Sequence, residues 1–328
     1  MSLARRAGAC PRAAPASCAA ARCATWLRRL FGACALALLP QAAWCGAGLA
    51  SSARYCDQPV PWTAEQKDQL FRFGAIIKAA LEDSGQGAAL VARSGLDLSR
   101  FGVRYSHAGV SLKAGTGSAW SVRQLYYACD EGRPRLFDQG LAAFVLGLDD
   151  APAGYVSVVL LPLPEGAAVE RAALDNRQAL QLLAATYSAN AYPFSAIYQN
   201  CNQWVAELLA AAWGQSDEAP TVRSQAQRWL QQRGYQPSVF DVGWRPLMWL
   251  GRLIPWVHHD DHPSEDLEQN LFRVSMPASI EAFVRATVPG ARRIEFCHSQ
   301  RRVVVHHGWG SIGEGCLPGP YDVVIALD

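Results

Sequence analysis

Between residues 89 and 163 the hydrophobic period of the chain is two, and this run limits the fold more than any other feature of the sequence. Four β-patterned stretches, ALVAR (89–93), RYSHAGVSLK (104–113), AWSVRQLYYAC (119–129) and GYVSVVLLPL (154–163), are separated by Gly, Ser, Asp and Pro clusters. AGTGS, between the second and third, reads as a hairpin turn because its two glycines reach positive φ without steric cost. An antiparallel sheet is therefore expected. On its N-terminal side, Thr63 with Gln66 makes a capping box, and Leu70, Phe71, Phe73, Ile76, Ile77, Ala80 and Leu81 form one stripe. Residues 64–83 are thus expected to be an amphipathic helix that ends near Gly85. Further helices are expected over Val169–Tyr187, from Cys201 to about Trp213, and over Thr221–Gln232. Residues 235–270 read as irregular, and strands return in RRIEFCHS (292–299), RRVVVHHGW (301–309) and YDVVIAL (321–327). The class is α+β.

The first fifty residues are of a different kind. They hold six arginines and no acid, and end in the apolar run LFGACALALLPQAAWC, which is too short for a membrane span. This pattern predicts a secretory signal over 1–50, cleaved between Cys45 and Ala50, and an exported, periplasmic protein. Removing it leaves 24 of the 30 basic residues against 28 acids, a formal net of −4. A slightly acidic chain with dispersed bases has no footprint for nucleic acid. Five cysteines remain: Cys56, Cys129, Cys201, Cys297 and Cys316. In an oxidising compartment an odd count predicts two bridges and one free thiol, or an intermolecular partner. By position, Cys297 with Cys316 locks the C-terminal strands and Cys56 with Cys129 staples the first helix to the sheet. Cys201 is left over.

A thiol at a helix start meets the positive end of the macrodipole and free N–H groups, which favour the thiolate. Such a nucleophile needs a base. His107, in the apolar, β-patterned stretch YSHAGV, has small neighbours in Ala108 and Gly109 that leave room for close approach. The same two residues read equally well as a core histidine beside a buried structural cysteine.

The order SHAGV, hairpin, then a much later NCNQWVAELL at a helix start resembles the circularly permuted branch of the NlpC-type papain-like hydrolases, which includes lecithin retinol acyltransferase-like proteins. The likeness covers about Ala88–Trp213. More narrowly, RYSHAG, YQNCNQWVAELL and the C-terminal FCH…GC segment resemble the bacterial family known as domain of unknown function 2145. The resemblance implies a permuted papain-like domain (51–232), an antiparallel sheet packed against helices. A Trp-rich segment and a small disulfide-bonded β meander would follow over 233–328. It implies a thiol hydrolase or acyltransferase acting on an amide, ester or thioester, with Cys201 as nucleophile and His107 as base. The third polar residue of such sites falls at Gln124, if the turn centres on Ala114–Gly117, with Ser121, Arg123 and Asp138 as near alternatives. Glutamine there departs from the more usual histidine, asparagine or glutamate. The Cys201 N–H with Asn200, Asn202 or Gln203 would hold an oxyanion, and Tyr198 would support the site. A binding module that keeps the pocket without turnover is the alternative.

Other signals are weaker. VHHDDH (257–262) has metal-ligating residue types, but the spacing matches no zinc motif and reads as a solvated loop. WRPLMWLGRLIPW (244–256) reads as core cover or as a peripheral membrane contact. His306 and His307 alternate on a strand, so one faces inward. No cofactor and no metal is expected. The expected substrate is a cell-wall peptide or a lipid acyl group.

Overall fold

The computed structural model describes residues 62–148, 153–214, 222–299 and 301–327; the expected signal segment and Cys56 lie outside them. Helix α1 (Ala64–Asp83) begins at the expected capping box, in which Thr63 Oγ1 accepts from the Gln66 N–H at 3.2 Å and the Thr63 N–H donates to Gln66 Oε1 at 2.8 Å. Strands β1 (Ala88–Arg93), β2 (His107–Leu112), β3 (Ser121–Ala128) and β4 (Arg133–Gln139) follow, then the short helix α2 (Leu141–Leu146) and strand β5 (Ala153–Leu160). Helix α3 (Leu163–Leu174) carries Pro164 in its first turn. The single helix expected over 169–187 is broken after Leu174: the Asp175 side chain accepts from the N–H groups of Arg177 and Gln178 and starts α4 (Asn176–Gln181). Two-residue strands β6 (Thr186–Tyr187) and β7 (Tyr198–Gln199) lead to α5 (Cys201–Trp213) and α6 (Arg223–Gln232).

The stretch expected to be irregular has structure of its own: β8 (Ser238–Asp241), α7 (Arg245–Gly251) and α8 (Ser264–Glu268). Strand β9 (Leu271–Val274) then pairs with β8. Helix α9 (Pro277–Thr287) precedes β10 (Arg292–Ser299), β11 (Arg302–His307) and β12 (Val323–Ala326).

One antiparallel sheet runs in the order β12-β11-β10-β5-β1-β2-β3-β4. The C-terminal strands are therefore not a separate meander. Strand β10 pairs with β5 from Arg292↔Leu160 to Ser299↔Ala153, so the last three strands extend the main sheet. Both sheet faces are covered. On one side Phe73, Ile77 and Leu81 of α1 and Phe144 of α2 pack on Val91, Val156 and Phe296. On the other, Val169 of α3, Trp204 and Val205 of α5 and Ile280 of α9 pack on Leu90, Ala108, Val110 and Leu125. Cys297 and Cys316 are bridged, which ties β10 to the loop before β12. Cys129 is disulfide-bonded as well.

Candidate functional site

Asn200 starts α5: its Oδ1 accepts from the Gln203 N–H at 2.7 Å, leaving Cys201 as the first helical residue. Every residue from Cys201 to Ala211 is buried, so α5 is a core helix, closed in by its neighbours. Cys201 is free and buried. Its Sγ lies 4.0 Å from the Ser106 carbonyl oxygen, against the start of β2. The N–H groups of Asn202, Ala108 and Cys201 itself all favour the thiolate, as does the charge of Arg93, but burial outweighs them and raises the thiol pKa to about 11. The helix start was expected to lower it. Desolvation wins because the sulfur is walled off from water.

His107 Nε2 is 2.7 Å from Gln124 Oε1, so the ring donates this hydrogen to the amide oxygen. Gln124 Nε2 in turn donates to Gln139 Oε1 at 2.6 Å. The register differs from the expected one. Val110 pairs with Arg123, and continuing that ladder sets Gln124 opposite Gly109 and Tyr126 opposite His107, a two-residue offset that keeps the face. Gln124 still reaches the imidazole because Gly109 has no side chain. A Cβ there would sit 2.6 Å from Val122 Cγ1 and 3.2 Å from Gln124 Cβ. Burial, and then the Arg93 charge, lower the His107 pKa to about 3, so its ring is neutral.

The pair and the thiol do not meet. Side chains of β2 alternate between faces. Ala108, Val110 and Leu112 pack in the cluster that holds Cys201, Trp204 and Val205. The His107 ring instead lies 4.9 Å from that of Tyr126 and 6.1 Å from that of Phe144, and Phe144 belongs to the cluster under α1. Cys201 and His107 thus flank β2 from opposite sides. The space between Ala108 and Val205 is nearly filled, with a cavity of about 10 Å³.

The other expected site residues hold the scaffold. Asn200 Nδ2 donates to the carbonyls of Ala189 and Ser275, at 3.2 and 3.4 Å. Asn202 Nδ2 donates to the Ser106 carbonyl at 3.1 Å. Gln203 Nε2 donates to Glu207 Oε1 at 3.1 Å and to the carbonyls of Pro193 and Ser195. Tyr198 stacks on His258 with ring centroids 4.2 Å apart, and its hydroxyl donates to Asp260. Asp138 pairs with Arg123, which also donates to the Ala173 carbonyl and to Asn176 Oδ1 on the α5 side, away from His107. Sequence reasoning passed over Glu207. It lies wholly buried on α5, bonded to Arg223, Gln199, Gln203 and Gln227. One acid inside the apolar run WVAELLAAAW was the available signal.

The VHHDDH segment is not a solvated loop. Asp261 accepts from the Tyr192 N–H at 2.8 Å, His262 Nε2 lies 2.7 Å from the Asn190 carbonyl, and both residues are buried. Among the described residues no group of three or more His, Cys, Asp or Glu is placed to hold a metal ion. His306 bonds to Asp322 at 2.7 Å while His307 is exposed.

Fold and site together define a mixed α+β protein in which one large antiparallel sheet buries a helix-start thiol on one face and a histidine–glutamine pair on the other. The chain belongs to the family described as "Uncharacterized protein conserved in bacteria (DUF2145)", whose model matches residues 80–284. No curated protein and no solved structure matches it.

Proposed function

We propose that the chain is an exported, periplasmic binding module on a permuted papain-like scaffold, and that it does not turn over substrate through a Cys201–His107 dyad. The observation that carries this reading is the placement of the two side chains on opposite faces of β2. A general base must come within hydrogen-bond reach of the proton it takes, and rotamer changes do not carry a side chain through a sheet. The neutral thiol and neutral imidazole agree with it. Export is supported by the disulfides.

The ligand we propose is a lipid acyl chain. A groove of about 890 Å³ runs between α1 and the last three strands; its lining is mostly apolar, with Ile76, Ala80, Ile294, Phe296, Val305 and Ile325, and also includes the charged Asp83, Arg292 and Arg293. Such walls suit hydrocarbon better than a polar cell-wall peptide. A fluorescent acyl-chain probe tests this: saturable binding is expected, lost in Ala80→Trp, which fills the groove. Binding unchanged in that variant contradicts the assignment.

A second reading, a thiol hydrolase or acyltransferase, is favoured by one observation: the backbone N–H groups around the sulfur are the donors an oxyanion needs. It requires His107 to change faces. Turnover of an activated ester or thioester that disappears in Cys201→Ala would establish it; none is expected.

A further inference from the structure

Helix α7 and the residues flanking it carry a group of bare apolar side chains. Trp244 is 64 % exposed, Leu250 55 % and Leu253 78 %, and Leu247 is exposed beside them. Met248 turns inward, into a small cluster with Phe240, Phe272, Val274 and Met276. Solvated loops do not concentrate large apolar groups in this way, and a contiguous exposed patch marks a surface that something covers.

The charges say what covers it. From Val242 to His259 there is no acid, while Arg245 and Arg252 are both exposed among the apolar groups. Both arginines also line an open cleft of about 990 Å³ beside Met248, Leu250, Leu253 and His259, in which Glu268 is the one acid against the two guanidinium groups. Apolar side chains and tryptophan bracketed by arginines are the composition of a helix lying in a membrane interface, where the side chains enter the acyl boundary and the guanidinium groups meet phosphate. No described helix is long and apolar enough to cross a membrane. We infer that Trp244–Leu253 is a monotopic docking element that seats the protein on an anionic phospholipid bilayer, whatever becomes of Cys201.

The test uses the full chain with vesicles of neutral phosphatidylcholine alone or mixed with anionic phosphatidylglycerol, read by flotation and by amide exchange. Amides of residues 245–254 are expected to gain protection of about tenfold or more on the anionic vesicles, and less on neutral ones. High salt, about 1 M, should reverse most of the difference. Leu250→Glu with Leu253→Glu should abolish the protection, and Arg245→Gln with Arg252→Gln should reduce it on anionic vesicles alone. Flotation without protection of these amides, or with protection unchanged in Leu250→Glu/Leu253→Glu, overturns the inference. So does protection that grows with protein concentration in the absence of vesicles, which assigns the ridge to a second copy of the chain.

Discussion

Cys201 and His107 touch the same strand from opposite sides: the sulfur sits against the Ser106 carbonyl on the α5 side, while the imidazole donates to Gln124 under α1. Both residue types needed for a dyad are present at the expected elements, and the sheet separates them.

Gly109 is what lets Gln124 reach His107 from two residues out of register. Gly109→Ala would place its Cβ 2.6 Å from Val122 Cγ1 and 3.0 Å from the Arg123 carbonyl oxygen. It is expected to cost about 1–3 kcal/mol in urea unfolding. Adding Val122→Ala should recover part of that loss, since it removes the closest clash. No recovery would place the strain in the backbone instead.

Glu207 neutralises Arg223 inside the core, with Nε to Oε2 at 2.8 Å and both side chains almost fully buried. Glu207→Gln should destabilise by about 3–5 kcal/mol, because the guanidinium is left buried without its counter-charge. Replacing both by Met should cost markedly less than either single change. Equal losses in all three variants would mean that the hydrogen bonds to Gln199, Gln203 and Gln227 matter more than the charge.

Acid should weaken the fold through its buried neutral histidines. Burial lowers the pKa of His107 to about 3 and those of His259 and His298 to about 4. Unfolded, each takes a proton near pH 6.5, so the unfolded state binds more protons throughout the window between these values. Their contribution is complete above about pH 6.5 and is lost as the pH falls, by up to about 1.4 kcal/mol per unit for each group. Urea midpoints at about pH 7, 6 and 5 should decline less steeply in His107→Gln than in wild type. Parallel declines would show that His107 is protonated in the folded protein.

The local signals in the sequence were legible where capping and one-sided burial set them. The capping box at Thr63 placed α1, and α5 starts at Cys201 as expected, with Asn200 as the cap that the structure adds. Strand β4 was not legible. It is an edge strand with Pro134 and mostly exposed side chains, so it has no alternation to read. Nor was the pairing of β10 with β5, which joins segments more than a hundred residues apart. The face of His107 was hidden for another reason. All six residues of β2 are buried, and a strand covered on both sides does not disclose which helix lies over which face. The exposed groups around α7 read as either core cover or a membrane contact, because composition alone does not tell a buried tryptophan-rich segment from a bare one.

The pH dependence of Cys201 alkylation in the native protein tests the separation of thiol and histidine most directly. With the thiol pKa moved from 9.0 to about 11, reaction near neutral pH should be about a hundredfold slower than in the unfolded chain. The rate should climb with pH without an inflection near neutrality, and His107→Ala should leave the profile unchanged. A fast reaction with an inflection near neutral pH that His107→Ala removes would contradict the account and restore the dyad.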